Sequence, residues 1–100
     1  MQLSKEENYQ LNCLHQPTKR EALISFALPE KSRVILKITN QADSEVRMLL
    51  NETLLSDDYK IPFPYGHLSE GDYCVKLIVQ TEHIIDINSI NIQIPKHEIL

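Results

Sequence analysis

Apolar and polar residues alternate along most of this chain with a period of two, the spacing that sends every second side chain to one face of a β-strand. The clearest case is Leu68-Ser-Glu-Gly71-Asp-Tyr73-Cys-Val75-Lys-Leu77-Ile-Val79-Gln80, where a glycine turn leads into Tyr73, Val75, Leu77 and Val79 on one face. Those four side chains are expected in the core of a central strand. Gly71 is one of only 2 glycines in the chain, and it is expected to hold a backbone conformation that a Cβ would strain. Tyr73, two residues on, suits a corner in which the ring packs inward and the hydroxyl bonds a backbone group upstream. Leu68, Gly71 and Tyr73 are therefore read as a structural turn and corner.

The same period recurs on either side. Ala22, Ile24, Phe26 and Leu28 share a face, and Pro29-Glu-Lys-Ser32 is turn chemistry. Val34, Leu36 and Ile38 alternate with Arg33, Ile35, Lys37 and Thr39. Asn40–Ser44 reads as a hairpin turn, and Glu45–Leu50 returns with Val46, Met48 and Leu50 predicted inward. Asn51–Leu55 continues raggedly, and Ser56-Asp-Asp58 reads as a turn. Tyr59, Ile61 and Phe63 then alternate with Pro62 and Pro64, which sets that strand at a sheet edge or at its end, because proline cannot donate to a ladder. The last strand, from about His83 to Ile94, changes phase: Ile85 and Ile87 occupy odd positions, Ile90, Ile92 and Ile94 even ones. A bulge near Asn88-Ser89 is expected to return one face to the core.

No long helical period interrupts this pattern, so the fold class is all-β, an Ig-like antiparallel β-sandwich of about six or seven strands. Residues 1–20 form a polar segment with an apolar group at Tyr9, Leu11 and Leu14, read as a first strand laid against the body, with a tail as the alternative. Residues 21–95 are the sandwich and 96–100 a short tail. A single domain of 100 residues buries about 65% of the surface its unfolded chain exposes, enough to fold without metals or cross-links.

Charge and composition narrow the function classes. A net charge of −4, with both signs scattered, lacks the basic stripe that phosphates demand, so nucleic acid is not the expected partner. No run approaches the roughly 20 apolar residues of a membrane span, and the start Met-Gln-Leu-Ser-Lys-Glu-Glu-Asn has no apolar segment of signal-peptide length. No membrane insertion and no export address are expected from the sequence as written. Cys13 and Cys74 permit one disulfide without requiring it. In an immunoglobulin-type corner the bridging cysteine lies two residues after the tyrosine; Cys74 lies one residue after Tyr73, so it is expected to point away from the core, and free thiols are the expectation.

Chemistry-bearing residues are sparse. His15, His67, His83 and His97 are isolated from one another and from any Cys-x2-Cys spacing, so no metal is expected. Asp57-Asp58 is explained by turn formation. His67-Leu-Ser69-Glu70 assembles the residue types of a nucleophilic site, but neighbours along a turn do not converge on one reacting atom. Lys76 near Cys74 invites comparison with an activated thiol, and a solvated lysine on a polar face accounts for it. With two glycines there is no phosphate-cradling loop. Asn51-Glu-Thr53 is formally a glycosylation sequon. No cofactor and no catalysis are expected, with a small enzyme or metal-binding protein as the remote alternative.

With the strand succession laid out, Ile24-Ser-Phe-Ala-Leu-Pro29, Arg33-Val-Ile-Leu-Lys-Ile-Thr39 with its hairpin, Val46-Arg-Met-Leu-Leu50, and Leu68-Ser-Glu-Gly71-Asp-Tyr73 followed by Val75-Lys-Leu77 carry a resemblance. From about Pro17 to Ile94 the chain resembles the C-terminal sorting domains of the Bacteroidetes type IX (Por) secretion system and the related Ig-like domain of the flagellar hook-capping protein. The resemblance implies a small β-sandwich at the end of a secreted cargo or within an extracellular assembly, hence a secreted or cell-envelope bacterial protein. The hairpin Gln41-Ala-Asp-Ser44 lacks the glycine usual in those families.

One feature exceeds what a core requires. The outward face of the central strands is expected to carry Ile35 and Ile78, with Cys74 between lysines and Leu49 nearby, on a surface that is ordinarily more polar. Either the segment around Leu11 and Leu14 covers it, or Ile35, Ile78, Leu49 and Cys74 form a partner surface. The apolar last strand, at an edge, offers a second route by strand addition. The expected function is a non-catalytic interaction or accessory module that docks to another protein by a sheet face or edge. A sorting or anchoring domain is the alternative, and a homodimer is the other partner to weigh.

Overall fold

The computed structural model describes residues 9–66 and 68–96. Within them the alternating stretches form seven strands: β1 (Asn12–Gln16), β2 (Glu21–Leu28), β3 (Ser32–Thr39), β4 (Glu45–Leu54), β5 (Asp57–Pro64), β6 (Gly71–Gln80) and β7 (Ile85–Ile94). A single 3-10 turn, Pro17–Lys19, joins β1 to β2. The strands pair antiparallel in two sheets, ordered β1-β2-β5 and β4-β3-β6-β7. This is an all-β two-sheet sandwich, compatible with an Ig-like arrangement. The proline-bearing β5 lies at a sheet edge, as its missing donors require. No described helix is long and apolar enough to cross a membrane.

The core is the slab between the sheets. Ala22, Ile24, Phe26 and Leu28 of β2 meet Val34, Leu36 and Ile38 of β3 and Val75, Leu77 and Val79 of β6, all buried, with Phe63, Tyr65, Ile92 and Ile94 closing the sides. Each of the valine, leucine, isoleucine and phenylalanine side chains contributes roughly 1.5–3 kcal/mol by leaving water. Leu11 and Cys13 pack against this cluster while Leu14, the residue after Cys13, is exposed, because β1 alternates like the other strands. β1 therefore completes the three-stranded sheet beside β2, and Leu11 and Leu14 do not cover the outer face of β3 and β6.

Two polar clasps hold the ends. Arg20 follows the 3-10 turn at a φ of 50°. Its guanidinium donates to the carbonyls of Gly66 (3.3 Å), Pro95 (3.1 Å) and Leu68 (3.4 Å), and it lies 5.3 Å over the ring of Tyr65. One side chain thus ties the β5–β6 loop to the end of β7. At the other clasp, buried Tyr9 accepts from the Ala27 N–H through its carbonyl (2.7 Å) and donates its hydroxyl to the Asp86 carboxylate of β7 (2.5 Å).

Local geometry corrects three sequence expectations. β7 needs no bulge at Asn88-Ser89: it pairs with β6 from Gly71↔Ile94 to Gln80↔Ile85 without a shift. Asp86 faces inward at that end because the Tyr9 hydroxyl supplies its partner, which sends Ile85 and Ile87 outward, 62% and 65% exposed. The irregularities fall in β4 instead, opposite Leu36/Lys37 and Ile38/Thr39. They turn Met48 outward beside Lys37, 42% exposed, and pack Leu49 against the core, the reverse of the simple alternation. Asp57 and Asp58 open β5 rather than forming a turn, paired with Leu28 and Ala27.

Gly71 has a φ of 142°, in the region that favours glycine, although a Cβ there would meet nothing within 4 Å. Tyr73 is partly buried against the core, and its hydroxyl donates to the carbonyl of Ser69 (2.8 Å). Because the obstacle at Gly71 is backbone strain alone, Gly71→Ala is expected to destabilise by about 1–3 kcal/mol, while Tyr73→Phe is expected to cost about 0.5–1.5 kcal/mol. Urea denaturation of both variants checks this; Gly66→Ala, at a position with open space and no positive φ, is the near-neutral control.

Candidate functional site

The outer face of the four-stranded sheet is built by the strand registers. Across β3, β6 and β7, Ile35 faces Ile78 and Ile78 faces Ile87, so three isoleucines form one continuous row. On one side of it lie Arg33, Gln80 and Ile85; on the other, Lys37, Lys76 and Ser89. Beyond β3 the row ends at Asn51, whose amide oxygen accepts from the Arg33 guanidinium (2.7 Å). Ile35 and Ile78 are half-buried by their neighbours, and Ile87 stands open.

Of the four residues expected on this surface, Ile35 and Ile78 share it. Leu49 is drawn into the core margin by the irregularity in β4. Cys74 lies on the same face but four residues along β6 from Ile78, about 13 Å at the rise of a strand, and beyond the lysine pair rather than between lysines. The phase change of β7 hides its contribution: it predicts a bulge, whereas the unbroken register sets Ile87 opposite Ile78 and Ile85 opposite Gln80. The distinguishing signal was the phase change itself, combined with the polar pair Asp86 and Asn88 between and after them.

Cys74 belongs to a polar depression at the hairpin end of the face, about 570 Å³, lined by Thr39, Asn40, Asp43, Asp72, Lys76 and Asn91 among others. Its Sγ lies 3.9 Å from the Val75 carbonyl. Thr39 is buried opposite it, with its Oγ1 lacking a described partner. Lys76 and Lys37 stand directly across the β3–β6 ladder, a like-charge pairing that destabilises a sheet. The hairpin relieves it. Asn40 accepts from the Ala42 and Ser44 N–H groups at 2.9 and 3.0 Å through its side chain, and Asp43 takes a φ of 64° in place of the missing glycine. Its carboxylate then sits 2.6 Å from the Lys76 Nζ.

The remaining expected groups do not assemble. Among the described residues no three His, Cys, Asp or Glu side chains come together to hold a metal ion. His67 lies outside the described residues, and so does His97. Cys13 and Cys74 are free and sit in different sheets. Burial pushes the Cys13 thiol up.

Two outcomes follow. The hydrogen bond from Lys76, then its charge, holds the Asp43 carboxyl below the usual range, and the same bond raises Lys76. A depressed folded-state carboxyl contributes stability above its ordinary titration range and loses it as pH falls through the lowered value. Asp43→Asn keeps the turn conformation and removes the charge. A small loss of stability is expected at neutral pH, since Asp43 is 71% exposed, and it should vanish toward acid pH in urea melts. Cys13 is expected to alkylate with iodoacetamide at neutral pH more slowly than an exposed thiol, because burial disfavours its thiolate; mass spectrometry of the peptides reads this.

With this geometry in hand, comparison with known proteins adds no relative: the chain matches no family model, no curated protein and no solved structure.

Proposed function

We propose that this protein is a non-catalytic interaction or accessory module that docks to another protein through the outer face of its four-stranded sheet. The observation that carries this reading is the row Ile35–Ile78–Ile87, extended by exposed Ile85, on a face that an isolated sandwich would make polar. The core of the described residues does not include these side chains, which supports their burial by a partner. Arg33 and Lys37 flank the row on an acidic chain, so two copies placed face to face would oppose like charges. The test is a pull-down from lysate and envelope with wild type and the Ile35→Asp/Ile78→Asp variant, each first checked for folding by circular dichroism. A specific partner held by wild type and lost by the folded variant is expected. If both single substitutions unfold the protein, the row is core and the docking face is wrong.

A second reading is a sorting or anchoring domain of an exported protein. It is supported by the sequence resemblance between Pro17 and Ile94 to type IX sorting domains and the hook-capping Ig-like domain, and by a sandwich and Gly71–Tyr73 corner that are compatible with an Ig-like fold. Fused behind an exported reporter, such a domain sends it to the cell surface; a reporter left in the periplasm rules this reading out.

A further inference from the structure

Two open sheets have four edge strands, each with a row of unpaired N–H and C=O groups that template another strand unless something blunts them. β5 carries Lys60, Pro62 and Pro64. β4 is broken by two register shifts and carries Arg47 and Glu52, and β1 is only 5 residues long. β7 has none of these protections: it runs for 10 residues without a shift, a proline or a basic side chain. Its one charge, Asp86, is held by the Tyr9 hydroxyl. Among the described residues no strand pairs with its far side, and Ile84, Ile85 and Ile87 at its start are exposed.

We infer that β7 accepts an extended segment of another protein as an added strand, a mode of binding that rests on the interaction-module reading above. Side chains directly opposite across a ladder share a face, so β7 dictates the pattern of its guest. Apolar residues fit beside Ile85 and Ile87 on the outer face, lengthening the Ile35–Ile78–Ile87 row. Apolar residues also fit beside Ile90 and Ile92 on the inner face, and polar ones beside Asp86, Asn88, Ser89 and Asn91. With Φ for apolar and p for polar, the guest reads Φ-p-Φ-p-p-Φ-p-Φ. The spacing is a palindrome, so it serves parallel and antiparallel addition alike.

A second copy is not this guest, although β7 has the same spacing from Ile85 to Ile92. To use it, Ile85 would oppose Ile92 and Ile87 would oppose Ile90, pairs that point to opposite faces of the sheet. Two copies of one edge meeting antiparallel are related by an axis perpendicular to the sheet, which preserves the faces. The allowed registers that overlap nearly the whole strand, symmetric about Ser89 or Ile90, set Ile87 against Asn91 or Gln93 and so match no isoleucine of the outer face with another.

The test presents the full chain with a displayed library of random linear peptides. Selection is expected to enrich the Φ-p-Φ-p-p-Φ-p-Φ spacing, and a synthetic copy of an enriched peptide is expected to protect alternate β7 amides from hydrogen exchange. Affinity is expected to fall about tenfold or more in Ile87→Lys. Asn88→Pro and Ser89→Pro supply the backbone control, since neighbouring residues direct their N–H groups alternately to β6 and to the free side. The substitution on the free side is tolerated by the fold, and that variant is expected to bind no peptide. Enrichment of strictly alternating or patternless peptides, protection on other strands, or a concentration-dependent dimer through β7 overturns the inference. A partner kept by the folded proline variant but lost by Ile35→Asp/Ile78→Asp overturns strand addition and leaves face docking standing. Wild type capturing neither peptide nor partner sinks both.

Discussion

The structure depends on a single apolar slab to which every strand contributes one face. β2, β3 and β6 lie inside their sheets and supply most of its buried side chains, from Ile24 and Phe26 on one side to Leu36, Ile38 and Leu77 on the other. Because the side-chain period is two, a one-residue slip in any of these strands would exchange its whole buried set for its outer set. Leu36 and Ile38 would then give way to Lys37 and Thr39. The corner at Gly71 and Tyr73 fixes where β6 begins, and Arg20 fixes the loop that delivers the chain to it through the carbonyls of Gly66 and Leu68. These polar contacts are individually modest. They act by holding register, which the apolar burial then stabilises.

That register also decides the outer face. Once Val34, Leu36 and Ile38 face the core, Arg33, Ile35 and Lys37 must face out, and the same logic sends Lys76 and Ile78 to their side of β6. The two lysines meet as a consequence, and the hairpin carries Asp43 back over them at the cost of a left-handed residue. The isoleucine row has no comparable compensation among the described residues. Polar compensation was available at the same depth of the sheet, as Asn51 and Ser89 demonstrate on neighbouring strands. The apolar row therefore stands on the outer face, and the proposed docking rests on it.

Strand addition and face docking draw on one geometry, since Ile87 belongs both to the row and to the free edge. A guest strand beside β7 would cover Ile87 from the side and place its own apolar side chain at the end of the row. Backbone hydrogen bonds would supply most of its affinity, and the phase change of β7 its selectivity.

How much was legible in the sequence follows from where the information sits. Local alternation identified β2, β3, β5 and β6 and their buried residues, and the prolines placed β5 at an edge. The glycine-to-tyrosine spacing identified the corner, because turn and strand chemistry act between residues close in the chain. Two things were not local. The shifts in β4 arise from its pairing with β3, so the side taken by Met48 and Leu49 was set by a partner strand. The phase of β7 was set by Tyr9, 77 positions away, whose hydroxyl gives Asp86 a reason to face inward. The sequence by itself determined an all-β chain with an apolar face on each strand. Tertiary structure alone decided that the three isoleucines at positions 35, 78 and 87 form one row ending at an open edge, because cross-strand neighbours are chosen by register between distant segments and not by spacing along the chain.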